Sequence, residues 1–107
     1  MPALNALGTQ EGLASYYGNE FQGRKTSSGE IFNNSDLTAA HRTFPFGTLV
    51  RVTNLRTSAT VDVRINDRGP KKAERIIDLT VRAARAIGIE REGLGRVRVE
   101  VLEYGTN

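Results

Sequence analysis

Hydrophobic and polar positions alternate in three stretches of this chain, and each alternation predicts a strand with one buried face. Residues 48–54 read Thr-Leu-Val-Arg-Val-Thr-Asn. Residues 60–65 place Val61, Val63 and Ile65 between Asp62 and Arg64. Residues 96–102 give the cleanest alternation, with Val97, Val99 and Val101 separated by Arg98 and Glu100. Leu55–Ala59 is a short polar connection, so the first two of these strands are expected to pair antiparallel. Gly12–Gly18 is predicted to be a further short strand closed by glycine. Its adjacent tyrosines, Tyr16 and Tyr17, must point to opposite faces, so at most one belongs to the core. Ile76-Ile77-Asp78-Leu79 is a second kind of apolar run, greasy except for one carboxylate.

Only one segment has a helical period. Thr80 is a suitable N-cap for residues 81–87, where Val81, Ala83, Ala84 and Ile87 fall on one side and Arg82 and Arg85 on the other. Gly88 stands at the position that ends such a helix. Residues 19–34, rich in glycine and serine and anchored by Phe21, Ile31 and Phe32, predict an ordered loop. Residues 37–41 are too brief to decide between a helical turn after Asp36 and a short strand. Residues 1–11 show no period and read as a tail or linker. The expected organisation is therefore one domain over 12–103, with a second short tail at 104–107. Short strands, one helix and many glycine turns favour a small closed barrel, because closure removes exposed strand edges.

Composition narrows the function classes. The chain has 107 residues, enough for one core. It has no cysteine and one histidine, which removes disulfides, thiolate nucleophiles and sulfur-ligated metals. His41 would need several carboxylates to complete a zinc site, and none is spaced for it, so neither metal nor organic cofactor is expected. The formal charge is +3, carried mostly by arginine, whose planar fork suits carboxylates, phosphates and sugars. No basic run or aromatic–basic repeat accompanies it, so nucleic acid is not the expected partner. No apolar run is long enough to cross a bilayer. Residues 1–8 lack the basic start and apolar stretch of a signal peptide, although a chain trimmed of its leader would look the same.

The candidate chemistry gathers between Val61 and Leu79. The strand ending at Ile65 runs into Asn66-Asp67-Arg68-Gly69-Pro70, a turn by virtue of its glycine and proline. Asp67 thus lies at a strand end and Asp78 inside an apolar run. Burial raises a carboxylate's pKa, and a raised pKa allows proton donation near neutrality, so Asp67 is expected to carry one. Each aspartate has a plainer reading: Asp67 capping its turn, Asp78 bonding backbone amides. His41 is either a satisfied buried histidine or a hydrogen-bond donor to Asp67 or to substrate. Glu30, in a Gly/Ser loop, reads by default as a solvated surface acid. A Ser-His-Asp hydrolase lacks the glycine-flanked nucleophile elbow.

Four blocks, taken in order, resemble the rare lipoprotein A family of double-psi β-barrels. They are 14–18 (Ala-Ser-Tyr-Tyr-Gly), 21–30 (Phe-Gln-Gly-Arg-Lys-Thr-Ser-Ser-Gly-Glu), 37–55 from Leu37 through His41 to Leu55, and 66–70 with 75–79. The resemblance implies a mainly β, six-stranded double-psi barrel with one or two short helices, related to expansins and to one class of lytic transglycosylases. It implies that Asp67 is the catalytic acid, that His41 and Glu30 line the same cleft, and that Asp78 is the acid shared with expansin-like proteins. Ser15, Tyr16, Tyr17, Arg24 and Arg68 become candidates for sugar contact. The implied activity is lytic cleavage of peptidoglycan glycan strands. The alternative is an expansin-like module that binds or remodels wall glycan without cleaving it. The implied setting is the periplasm or outer membrane, with a leader or lipid anchor lying outside this chain, and a monomer. Lys71, Glu74 and the absence of tryptophan depart from the family's usual pattern.

Overall fold

A computed structural model of the chain describes residues 8–106. Six strands close into a barrel: β1 (Thr9–Tyr16), β2 (Thr38–Ala40), β3 (Leu49–Asn54), β4 (Thr60–Asp67), β5 (Arg75–Leu79) and β6 (Gly95–Glu103). Their order around the barrel is β1-β5-β2-β4-β3-β6. The β3–β4 hairpin pairs antiparallel, as its alternation and short connection predict. β1 runs parallel to β5 and β2 parallel to β4, pairings that no hairpin could make and that give the barrel its double-psi course.

The apolar halves of the alternating strands fill the interior. Val50 and Val52 of β3, Val63 and Ile65 of β4, Ile77 and Leu79 of β5, and Val97 and Val99 of β6 are fully buried. Burying each such side chain contributes about 1.5–3 kcal/mol, which is why their period fixes the inward face of every strand. The helix α1 (Val81–Ala86) packs Ala83 and Ala84 onto this core, with Arg82 and Arg85 outward. Thr80 Oγ1 accepts the Ala83 N–H at 3.3 Å, the capping bond expected from its position. Gly88, at φ +77°, follows the helix end in the left-handed conformation that glycine tolerates.

Two boundaries differ from the sequence reading. β1 begins at Thr9, so residues 9–11 are strand rather than tail; they pair with Glu100, Val99 and Arg98 of β6. Their polar composition hid them, because this part of β1 has only partly buried or exposed positions. The rest of the expected N-terminal tail, residues 1–7, lies outside the described residues. The open segment at 37–41 is a strand, its three members buried between β4 and β5. The loop at 19–34 is ordered as expected, opening with a 3-10 turn at Asn19–Phe21 and tied across by a Lys25–Ile31 bridge.

Candidate functional site

Four strands bring one row of residues to the outside of the barrel. Ser15 of β1 is in register with Asp78 of β5, Asp78 with Ala40 of β2, and Ala40 with Asp67 of β4. The flanking inward row is Ala14, Ile77, Leu79, Ala39 and Ile65, all fully buried. Successive residues of a strand face opposite sides, which separates Ser15 from Ala14 and Asp78 from Ile77 and Leu79. Asp67 shares the parity of Ile65, and the register shift between the Ala39 and Ala40 pairings brings it into the outer row. A groove of about 480 Å³ follows this row, walled by Ser15, Tyr16, Tyr17, Asp67, Arg68 and Asp78. Lys71, Arg75, Glu20 and Phe21 complete its rim.

Asp67 is held by three segments of chain. Its Oδ2 accepts the Tyr17 hydroxyl at 2.5 Å, and its Oδ1 accepts backbone N–H groups from Ser27 at 2.8 Å and Arg68 at 2.9 Å. Burial pushes its carboxyl toward the protonated form and is the largest single influence. The hydrogen bonds from Tyr17, Ser27 and Arg68 together outweigh it, so the pKa lies below the ordinary aspartate value. The raised pKa expected from a buried strand end is therefore corrected: donors to the charged form win over desolvation. Asp78 accepts the hydroxyl proton of Ser15 on Oδ1.

The other sequence candidates are placed differently. The His41 side chain is absent from the groove wall and buried, 3% exposed. Its ring stacks on Phe44 at 3.7 Å, and Nδ1 accepts the N–H groups of Thr43 and Phe44, both at 3.1 Å. Nε2 then carries the proton and donates to Gln10 Oε1 at 3.0 Å. Burial, with Arg42 and Arg68 nearby, lowers its pKa to about 4. His41 meets the acid only through its backbone, donating N–H to the Asp67 carbonyl at 3.1 Å. Glu30 also stays out of the groove. It accepts Arg64 at 2.6 and 3.0 Å and Asn66 Nδ2 at 3.1 Å, and it borders a separate depression with Phe46, Arg64 and Tyr104. The Arg64 bond holds its carboxyl below the usual range. The expectation that all four residues converge on one groove is thus corrected to Asp67 and Asp78. His41 and Glu30 brace the segments on either side of the β4 end.

Tyr16 and Tyr17 diverge as adjacent strand residues must. Tyr16 packs against the core and donates to the Glu90 carbonyl at 2.7 Å, while Tyr17 lies against Phe32 and Phe21. Arg68 walls the groove, but its Nη1 donates to the carbonyls of His41 and Phe44 and its guanidinium covers Phe46 at 4.0 Å. Arg24 lies outside the wall, 5.8 Å from the Phe21 ring centroid. Sequence reasoning missed Lys71 and Arg75 on the rim; Arg75 directly precedes the apolar run, a position that marks the strand's mouth. It also missed Gln10 as the partner of His41, since nothing local distinguishes that residue. Among the described residues no cluster of three or more His, Asp or Glu has metal-binding geometry. A further depression, lined by Leu55, Ile89 and Leu94 among others, shares no residue with the acid groove.

A closed six-stranded barrel with parallel β1–β5 and β2–β4 pairs defines a double-psi β-barrel, here with a groove that carries two acids on its wall. Residues 9–99 match the family model described as lytic transglycolase. The chain belongs to that family and is an RlpA-like member of it. It is 58% identical over 92 residues to the probable endolytic peptidoglycan transglycosylase RlpA of Synechocystis sp., covering 86% of this chain and 29% of that one. It is 50% identical over 98 residues to the endolytic peptidoglycan transglycosylase RlpA of Haemophilus influenzae, covering 92% and 34%. The chain thus spans about a third of the length of these curated relatives. Among solved structures, an apo Clavibacter michiganensis expansin superposes with a TM-score of 0.72 at 20% identity, covering 92% of this chain and 52% of that one. A Streptomyces papain inhibitor superposes with a TM-score of 0.74 at 18% identity, covering 91% and 97%. At these identities the two structures speak to the fold alone.

Proposed function

We propose that this barrel acts in the cell envelope as a peptidoglycan lytic transglycosylase, cleaving the β-1,4 bond between N-acetylmuramic acid and N-acetylglucosamine. The observation that carries the reading is Asp67: a carboxylate fixed by three donors on the wall of an open groove, in a chain about half identical to proteins named endolytic peptidoglycan transglycosylases.

The chemistry needs a proton delivered to the leaving oxygen and a proton taken from a nucleophile. In lytic cleavage the nucleophile is the muramic C6 hydroxyl of the substrate itself. One carboxyl group can serve both steps. Protonated Asp67 gives its proton to the glucosamine O4 as the C1–O4 bond breaks. The C6 oxygen then bonds to C1, and its proton passes to the Asp67 carboxylate. The products are a free 4-hydroxyl end and a 1,6-anhydromuramic end; no water is consumed and Asp67 finishes protonated as it began. In the free protein Asp67 rests as a carboxylate. A sugar filling the groove displaces water and adds to the burial that already opposes the charge, which moves the group toward its acid form. Asp78, held by Ser15, lines the same wall and orients sugar hydroxyls as a hydrogen-bond acceptor.

A second reading has one observation in its favour. The hydrogen bonds that keep Asp67 ionised suit a ligand contact as well as an acid, so a wall-binding module that does not cleave uses the same groove. Incubation with purified sacculi, with stem peptides retained or removed, separates the two. A transglycosylase releases anhydromuramic ends, one water lighter than hydrolytic products, and Asp67→Asn stops release while sacculus binding persists. Binding without release supports the non-catalytic module. Reducing-end products overturn the single-acid scheme, since hydrolysis calls for a second carboxylate.

A further inference from the structure

Tyr17 and Asp67 are fifty residues apart in sequence, and their side chains meet on the groove wall. A carboxylate oxygen has two lone-pair directions. On Asp67 Oδ1 both are taken, by the Ser27 and Arg68 amides. On Oδ2 one is taken, by the Tyr17 hydroxyl, and one remains. The Tyr17 ring is itself fixed. Phe32, 2% exposed, lies 4.4 Å away against one face, and Phe21 meets it edge-on at 5.5 Å. The Tyr17 backbone N–H donates to the Leu79 carbonyl at 3.0 Å, next to Asp78.

We propose that Tyr17 is a positioning residue for Asp67: its clamped hydroxyl orients the carboxylate so that the remaining lone pair of Oδ2 is the one that exchanges a proton with the sugar. This deepens the role of Asp67 as acid and base and rests on that reading. It also assigns Tyr17 a task other than stacking a sugar, because Phe32 already covers one face of its ring. Burial and the adjacent Asp67 and Asp78 charges push the phenol well above its usual range, so Tyr17 stays a donor throughout. The other charged groups lining the groove are Glu20 from the turn after β1, Arg68 and Lys71 from the Asp67 turn, and Arg75 and Asp78 from β5. β2 contributes the His41 amide, on the Asp67 backbone carbonyl. Tyr17→Phe leaves all of these in place and removes only the hydroxyl.

The test is a carbon-detected titration of the Asp67 carboxyl in the free protein, paired with the pH profile of anhydromuramic release. In the wild type Asp67 should titrate below ordinary aspartate, a measurement that needs no variant; a value at or above the ordinary one overturns the proposal. In Tyr17→Phe the titration should move to higher pH. The alkaline limb of release, where the protonated acid is lost, should move the same way, with kcat on the plateau reduced and KM little changed. An unchanged titration in a folded Tyr17→Phe protein overturns the proposal whether or not the protein turns over. If the wild type releases no anhydromuramic ends, the catalytic reading falls by itself, and the shifted titration still supports Tyr17 as the residue that positions the Asp67 carboxylate.

Discussion

Asp67 and Asp78 both pair in register with Ala40, one from each side of β2. Two strand spacings separate them, roughly 10 Å between Cα atoms. Ala40 is 1% exposed, so its methyl is packed between the strands that carry the two acids. Its methyl lies 3.8 Å from where a Cβ on Gly69 would stand. The groove's two carboxylates are thus spaced by one small residue on a central strand.

Enlarging that residue should therefore disturb the site more than the fold's periphery would suggest. Ala40→Val inserts two methyl groups into a filled position, a change that costs about 1–3 kcal/mol of stability. Thermal unfolding should show the loss, and sacculus binding should weaken at temperatures where the variant remains folded. Unaltered binding would show that sugar binding does not depend on the spacing of the two acids.

His41 predicts a pH dependence of stability. Its folded pKa is lowered to about 4, so the folded state stays neutral while an unfolded histidine begins to take up a proton near 6.5. The unfolded state binds more protons between those limits, and stability falls as pH drops through this window, by up to about 3 kcal/mol. Below it Asp67 adds a further loss, since its depressed pKa contributes stability only while the group is ionised. His41→Asn keeps an acceptor near the Nδ1 position for the Thr43 and Phe44 amides but cannot titrate. Denaturant unfolding from pH 7 to pH 4 should slope in the wild type and lie nearly flat in this variant.

Gly69 has φ +143°, a conformation that other residues adopt only under strain. The space around it is ordinary, with Asp78 Oδ2 3.7 Å from an added Cβ, so backbone conformation is what requires glycine there. Gly69→Ala should cost about 1–3 kcal/mol. It should also shift the Asp67 turn enough to lower release of anhydromuramic ends, measured against thermal stability in the same protein. A variant with full stability and activity would mean that the turn adapts.

The Glu30–Arg64 pair is half exposed on both sides, so solvent screens it and it contributes less than about 1 kcal/mol. Glu30→Gln should leave the melting temperature within a few degrees of wild type. Because Glu30 also accepts Asn66 Nδ2 beside Asp67, any loss of release in that variant should appear in kcat without a change in sacculus affinity. A large loss of affinity would instead bring the second depression into the binding surface.

Much of the barrel was legible in the chain because its cause is local. Alternation at 48–54, 60–65 and 96–102 fixes inward faces residue by residue, and Thr80 and Gly88 bracket the helix by their own bonding and backbone preferences. The Asp67 turn announces itself through Gly69 and Pro70. β1 before Gly12 and the strand at 38–40 did not, being too polar or too short to carry a period.

The site divides along the same physical line. Sequence by itself determined that acids would stand at the β4 end and within β5: Asp78 alternates with the core residues Ile77 and Leu79, and Asp67 opens the Gly69–Pro70 turn. That Asp67 leaves the inward face of Val63 and Ile65 was decided by the register shift against β2. Sequence could not say which distant donors would meet the acids. The Arg68 amide is a local bond of the turn, whereas the Tyr17 hydroxyl and the Ser27 amide reach Asp67 only when the loop at 19–34 docks on β4 and the barrel closes β1 beside β5. The sign of its pKa shift follows from that meeting, since burial alone pushes one way and the three donors push the other. Closure likewise turned His41 inward, where Gln10, Thr43 and Phe44 occupy both ring nitrogens. A residue's type and neighbours in sequence set which face it takes; which partner it finds there is decided by segments tens of residues away.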